Sequence, residues 1–395
     1  MDIRSNQLFD QWNQYALLLV FQCFFFLMIT FLCDKWKYSL TKQNNQALIT
    51  NQQPAQDPGV LQEVLRVENQ ENQDSIKAIK IHKVYPNGFH AVKGTTFGVQ
   101  KGQIFGLLGP NGAGKSTTFN IITANIPKCA GKVFFKDKQL QGNQYFDDVG
   151  VCPQGNCLWD FLSPVEHLRL FGRIKGLEKD KLEQMVNYYN LQLDLDKFQT
   201  KSANLSGGNK RKLCVANALI GSPSLLFLDE PSTGLDPIAK RQLWKCLKEV
   251  LFQKQSSIVL TTHSLQEAED LCDKISIQVN GEFVCLDSLQ NLRDKYGNGY
   301  KIYIKLNQNN QQDIRNSINQ LYNNAKIMNE KDPNYLNCLI FQVSSQNFSF
   351  AKTFQLLFNE LKLNQKIEDF SISQSTLEEI FVYFSQFQQN NNNIN

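Results

Sequence analysis

Residues 15–33 read YALLLVFQCFFFLMITFLC, nineteen positions without a charge. At about 1.5 Å per residue in a helix, such a run spans roughly the hydrocarbon core of a bilayer. Trp12 and Tyr15 stand at one end and Trp36 and Tyr38 at the other, as interfacial aromatics do. Lys35, Lys37 and Lys42 follow the run, whereas Arg4 is the only basic residue before it. Positive residues stay on the cytosolic side, so the bulk of the chain is expected in the cytosol. A signal peptide would have a shorter core, a basic start and a small-residue cleavage site. A buried core helix of this length would show a polar face. The pattern therefore predicts one membrane-spanning helix within residues 1–40, a single-pass membrane localisation.

The pattern then turns polar. Residues 41–75 are rich in Gln, Asn and Asp and read as a solvated linker. Val60, Leu61, Val64, Leu65 and Val67 give that linker one short helix, lying at the membrane surface. From Ala78 to Cys285, short apolar runs alternate with helical spacings. Strands are predicted over 78–81, 96–99, 103–108, 131–135, 225–228, 257–261, 274–279 and 282–286. Helices are predicted over 115–124, 164–175, 181–189, 209–220, 239–252 and 265–271. This alternation predicts an α/β domain over residues 76–299, with a parallel core sheet and helices on its faces.

Beyond Gly299 the period changes. Tyr300, Ile302, Ile304 and Leu306 alternate with more polar neighbours, the signature of a half-buried strand. A polar helix over 311–322, a strand over 338–343, a helix over 350–361 and a strand over 367–372 follow. Ser375-Thr376-Leu377-Glu378 opens a last helix with a capping-box pattern. Its apolar face is Leu377, Ile380, Phe381 and Phe384. These elements predict a small α+β domain over residues 300–387. Residues 388–395 are nearly pure amide, and no fold is expected of them.

Composition changes this picture little. A chain of 395 residues can bury the cores of two or three domains. The net charge of +4 is spread out, with no basic stripe, so no nucleic-acid partner is expected. The 10 cysteines are scattered without C-x-x-C spacing and read as reduced thiols, not a metal site or disulfide framework.

The candidate chemistry begins where an apolar strand runs into Gly109-Pro110-Asn111-Gly112-Ala113-Gly114-Lys115-Ser116-Thr117. Glycines there let the backbone turn and aim N–H groups at a phosphate chain, and the helix that follows adds its positive end. Lys115 supplies a cation for the β- and γ-phosphates, and Ser116 a hydroxyl for Mg²⁺. The loop alone predicts a nucleoside triphosphate site.

Another apolar strand ends in Asp229 and Glu230. A buried strand explains the apolar run but not two acids at its exit. Asp229 is placed to hold Mg²⁺, and Glu230 to polarise an attacking water. Ser206-Gly207-Gly208 at a helix start makes a second anion-facing nest, where a plain helix cap would also suffice. Two nests are hard to use on one nucleotide, which suggests a head-to-tail dimer. His263 ends a further strand on the same rim, favouring a γ-phosphate contact over a structural role. Gln154, at a strand-to-loop exit, could reach metal and water. Tyr85, before a turn, could stack on adenine.

In this order the motifs resemble the nucleotide-binding domain of an ABC transporter. Matched are the Walker A loop (109–117), the Gln loop (Gln154), the signature LSGGN (205–209), the Walker B strand (225–229, then Glu230), the D-loop (234–236) and the switch His263. The resemblance implies ATP and Mg²⁺ as ligands, Glu230 as general base, and Ser206, Gly207 and Gly208 facing ATP on a second nucleotide-binding domain. GGNKRKL, DEPSTGLDP, THSLQEAEDLC, VNGEFVCL and DFSISQSTLEEIF are similar to the A subfamily, whose members mostly move lipids. The last of these resembles the end of that subfamily's regulatory domain.

Full members carry two transmembrane bundles and two ATPase domains, so the chain is expected either to be part of a full transporter or to work with separate membrane subunits. The implied function is that of an ATP-hydrolysing subunit powering lipid transport, with a transmembrane bundle and a membrane lipid as further partners. The alternative is a non-transport ABC ATPase that remodels a macromolecular complex. A nucleotide sensor without turnover would be expected to lack the acid or the switch histidine, and Glu230 and His263 are both present.

Overall fold

The computed structural model describes residues 28–30, 57–69, 73–136, 138–140, 148–198, 200–254, 256–297, 299–307, 311–322, 325–327, 338–344, 348–362 and 366–392. The expected membrane span at 15–33 therefore lies outside the described residues, apart from 28–30. Among the described residues, no helix is long and apolar enough to cross a membrane.

The chain divides into two units, one of residues 1–54 with Val84–His90, the other of residues 55–83 with 91–395. In the first, Tyr85 sits in a tight turn. Its N–H donates to the Phe89 carbonyl and its carbonyl accepts from Gly88 N, each at 2.9 Å, with Gly88 at φ +83°.

The second unit is built on a six-stranded sheet, ordered β10 (Glu282–Asp287), β9 (Lys274–Val279), β3 (Ile104–Leu108), β8 (Ser257–Thr261), β7 (Leu225–Asp229), β6 (Val149–Cys152). Five of these run parallel, and β10 adds an antiparallel edge. Every residue of β3, β7 and β8 is buried, as expected of strands covered on both faces. Strand β6, short and half exposed, ends two residues before Gln154, the strand-to-loop exit expected there. A second sheet, β2 (His90–Gln100), β1 (Asp74–Val84), β4 (Ala130–Phe135) and β5 (Lys138–Gln139), pairs β1 with β4 antiparallel. The helices Pro164–Ile174 and Lys179–Gln192 form a helical layer whose Leu168, Leu182, Val186 and Tyr189 join the core under β7 and β8.

The helix Pro58–Glu68 was expected on a solvated linker, and the structure corrects this. Val60 packs with Phe97, Phe283 and Leu286 in the core between the sheets. Glu63, only 3% exposed, meets Arg66 and Lys274, each at 2.8 Å, and accepts from Gly98 N at 3.0 Å. Burial pushes its carboxyl up, yet the hydrogen bonds from Arg66 and Lys274 prevail and hold it below the usual carboxylate range.

The C-terminal layer is an antiparallel sheet, β12 (Lys326–Ile327), β13 (Cys338–Val343), β11 (Tyr300–Leu306), β14 (Ile367–Gln374). Ile302, Ile304 and Leu306 face its own core with Ile314, Ile318 and Phe341, fulfilling the alternation. The last helix, Leu377–Asn392, leaves that layer: Leu377, Ile380 and Phe384 lie in the core of the six-stranded sheet. It also runs into the amide-rich tail for which no fold was expected. Among the described residues, Cys152, Cys214, Cys246, Cys272 and Cys285 are buried and form no disulfide.

Candidate nucleotide site

Register places the candidate motifs on one rim. Thr261, at the end of β8, is level with Leu107 of β3 on one side and Asp229 of β7 on the other. The loop after β3, the acids after β7 and His263 after β8 therefore emerge together, at the carboxyl ends of parallel strands.

The loop 109–114 turns through Gly112 and Gly114, at φ +78° and +100°, conformations that L side chains rarely adopt. A Cβ at Gly114 would stand 2.3 Å from the Ala91 carbonyl, so the loop is pressed onto the domain behind it. Lys115, at the helix start, is 7% exposed, and its ammonium donates to the carbonyls of Gly109 at 2.7 Å and Pro110 at 2.9 Å. Burial lowers its pKa to about 8, against the opposing charges of Glu230 and Asp229. Ser116 is exposed at the same helix start.

Asp229 is buried, and Thr261 Oγ1 donates to its Oδ1. Burial raises its carboxyl pKa, the Thr261 hydrogen bond lowers it, and the charge of Glu230 raises it again. Glu230 holds a left-handed backbone, φ +54°, fixed by its N–H donating to Thr261 O at 3.0 Å. Its Oε1 lies 3.0 Å from His263 Nε2 and accepts from Gln154 Nε2 at 3.3 Å, and its Oε2 accepts from Thr233 Oγ1 at 3.1 Å. Residues from three separate motifs thus converge on one carboxylate. An oriented, ionisable acid of this kind can take a proton from a water held nearby.

No group of three or more His, Cys, Asp or Glu able to hold a metal occurs among the described residues. The oxygen donors here are Asp229, Ser116 and the amide of Gln154. Such a sparse oxygen set suits Mg²⁺, which binds through one or two carboxylates and takes further oxygens from substrate phosphates and water.

Ser206 caps the helix Gly207–Leu219, its Oγ accepting from Asn209 N at 3.3 Å. Ser206 and Gly207 are exposed, and a Cβ at Gly207 would meet nothing within 4 Å. Gly208 packs against the Gly234 carbonyl, where a Cβ would come to 3.1 Å. The nest is thus open outward, separate from the Glu230 cluster. Tyr85 remains in its own turn, described above.

Sequence reasoning missed two contributors. Thr261 ends an unremarkable apolar strand, and only its register with Asp229 reveals it. Arg211 sits in the run Lys210-Arg211-Lys212 after the signature glycines, where the sequence singles out no role for it. In the structure it is buried, with its guanidinium on the carbonyls of Pro153, Gln154, Asp229 and Glu230. Helical spacing from the apolar Cys214, Val215 and Ala218 was the available signal.

Known proteins resemble this chain in sequence and in fold. Residues 92–233 match the family described as "ABC transporter". The "Cholesterol transporter ABCA5" of Rattus norvegicus is 34% identical over 347 residues, 85% of this chain and 20% of that protein. The "Retinal-specific phospholipid-transporting ATPase ABCA4" of Homo sapiens is 36% identical over 322 residues, 80% of this chain and 14% of that protein. The chain thus spans a fifth or less of these relatives' length. Among solved structures, "Structure of ATP binding subunit of ABC transporter" is 28% identical with a TM-score of 0.52, covering 56% of this chain and 92% of that one.

Proposed function

The chain carries an ABC transporter domain at residues 92–233, and from that premise we propose that it is the ATP-binding, ATP-hydrolysing part of a transmembrane lipid transporter. The observation that carries the reading is the meeting of Gln154, Glu230 and His263 at one carboxylate oxygen beside Lys115. Lys115 and the N–H groups of 109–117 bind the phosphates, exchanging the lysine's loop carbonyls for phosphate oxygens. Ser116, Asp229 and Gln154 would hold Mg²⁺, which when bound would supply positive charge against the phosphate oxygens. Glu230, held by Gln154, His263 and Thr233, accepts the proton of the attacking water. His263 contacts the γ-phosphate. Tyr85 stacks on adenine.

The open nest Ser206–Gly208 is hard to use on the nucleotide of its own loop, which supports its closing over ATP on a second such domain. Relatives named for cholesterol and phospholipid support a lipid cargo. The alternative, remodelling of a macromolecular complex, gains no support from them. The apolar run at 15–33 anchors the chain once in the membrane, with the ATPase domain in the cytosol, beside a transmembrane bundle. The test is phosphate release by the full chain in lipid vesicles, with and without Mg²⁺. Mg²⁺-dependent turnover is expected, and its absence from folded, nucleotide-binding protein would refute the reading.

A further inference from the structure

One buried side chain ties the open nest to the catalytic cluster. Arg211 lies on the helix Gly207–Leu219, five residues after its cap Ser206 and about 7.5 Å along the axis. Its Nη1 donates to Pro153 O at 2.6 Å and Gln154 O at 3.1 Å, and its Nε to Glu230 O at 3.1 Å. Its Nη2 donates to Asp229 O. The planar guanidinium thus bridges the ends of β6 and β7, whose pairing with each other stops at Cys152 and Leu228. Beyond those ends stand Gln154 and Glu230, whose side chains hydrogen-bond each other at 3.3 Å. Arg211 therefore fixes, at the backbone, both ends of the hydrogen bond that orients the acid.

Gly207, Gly208 and Arg211 lie on one helix, capped by Ser206. We infer that Arg211 is a positioning residue that couples an anion at Ser206–Gly208 to the setting of Glu230 in the same chain. This rests on the head-to-tail reading above. In that arrangement the nest engages the ATP of the partner while Glu230 acts on the chain's own. Occupation of one site then shifts the helix, and Arg211 carries the shift to Pro153–Gln154 and Asp229–Glu230. The two ATP sites of a dimer are linked through this guanidinium. A mere satisfier of buried carbonyls would instead affect stability alone.

Arg211→Lys keeps the charge but not the fork, and Arg211→Gln keeps donors without charge. The full chain in vesicles is assayed for ATP turnover against ATP concentration, alongside thermal unfolding. Wild type is expected to show a Hill coefficient above 1. In at least one folded variant, kcat should fall about tenfold or more with KM within about twofold, and the Hill coefficient should fall to about 1. Wild-type kcat and cooperativity in every folded variant would overturn the inference. So would losses in both variants that merely follow the unfolding temperature. Wild type that hydrolyses ATP with a Hill coefficient of 1 would overturn it while leaving the proposed function standing, whereas wild type without turnover would remove the function itself.

Discussion

His263 Nε2 lies 3.0 Å from Glu230 Oε1, the oxygen that also accepts from Gln154. The histidine is 45% exposed at its side chain and the glutamate 13%, so the acid is sheltered while its orienting partner faces outward. Replacing the acid by its isosteric amide, Glu230→Gln, keeps shape and most hydrogen bonds but removes the proton acceptor. ATP turnover should fall by about 10²–10⁴-fold. Nucleotide binding, followed by equilibrium titration, should persist within a few fold. Full turnover in this variant would remove Glu230 from its role.

Lys115 supplies a pH signature. Burial brings its pKa down to about 8. A bound triphosphate favours the charged amine, so binding above that pH takes up a proton. Affinity should therefore fall as pH rises from 7 to 9, by at most about tenfold per pH unit. Lys115→Met should bind more weakly throughout and lose this component of the slope. Fluorescent-nucleotide titrations at the two pH values decide it, and an identical slope in the variant would sink the assignment.

The buried Glu63 makes a prediction about stability. Glu63→Gln removes the carboxylate that Arg66 and Lys274 share, leaving Arg66 paired with Asp74 at 3.0 Å and Lys274 without this pairing, and breaking such a buried pairing removes about 3–5 kcal/mol at most. Folding lowers this carboxyl's pKa from its ordinary 4.5. Its contribution is therefore complete above that value and fades as pH falls through the folded-state pKa. Chemical unfolding of both proteins at pH 7 and in mild acid should show the difference shrinking with acid. A constant difference would mean that packing, not charge, is responsible.

Phe384 is 6% exposed and stacks edge-on to Tyr296, with ring centroids 4.9 Å apart. Phe384→Ala should destabilise the nucleotide-binding domain by about 3–5 kcal/mol, while Val382→Ala, at an exposed position, should change little. Unfolding monitored with and without ATP separates the two. Equal effects would mean that the helix does not complete this core.

The strands β3, β7 and β8 were legible because continuous burial writes itself as unbroken apolar runs. The glycine loop and the paired acids were legible because phosphate chemistry restricts the residues that serve it. Arg211 was not, since a buried guanidinium looks like any surface cation until its carbonyl partners are known. Glu63 was hidden in the same way: its partner Lys274 is 211 positions away, and nothing local marks the pairing. The apolar face of the last helix was visible at Leu377, Ile380 and Phe384, but periodicity says that a face is buried and not where. It was assigned to the neighbouring layer and belongs to the core before it.

That seat has a consequence for biosynthesis. The ribosome must complete the whole C-terminal layer before Leu377, Ile380 and Phe384 emerge to close the earlier core. At about 5–20 residues per second, the emerging ATPase domain spends seconds with that groove uncovered. A chain stopped just short of Leu377 would keep every motif that handles nucleotide and still expose an unfinished apolar surface to chaperones and proteases.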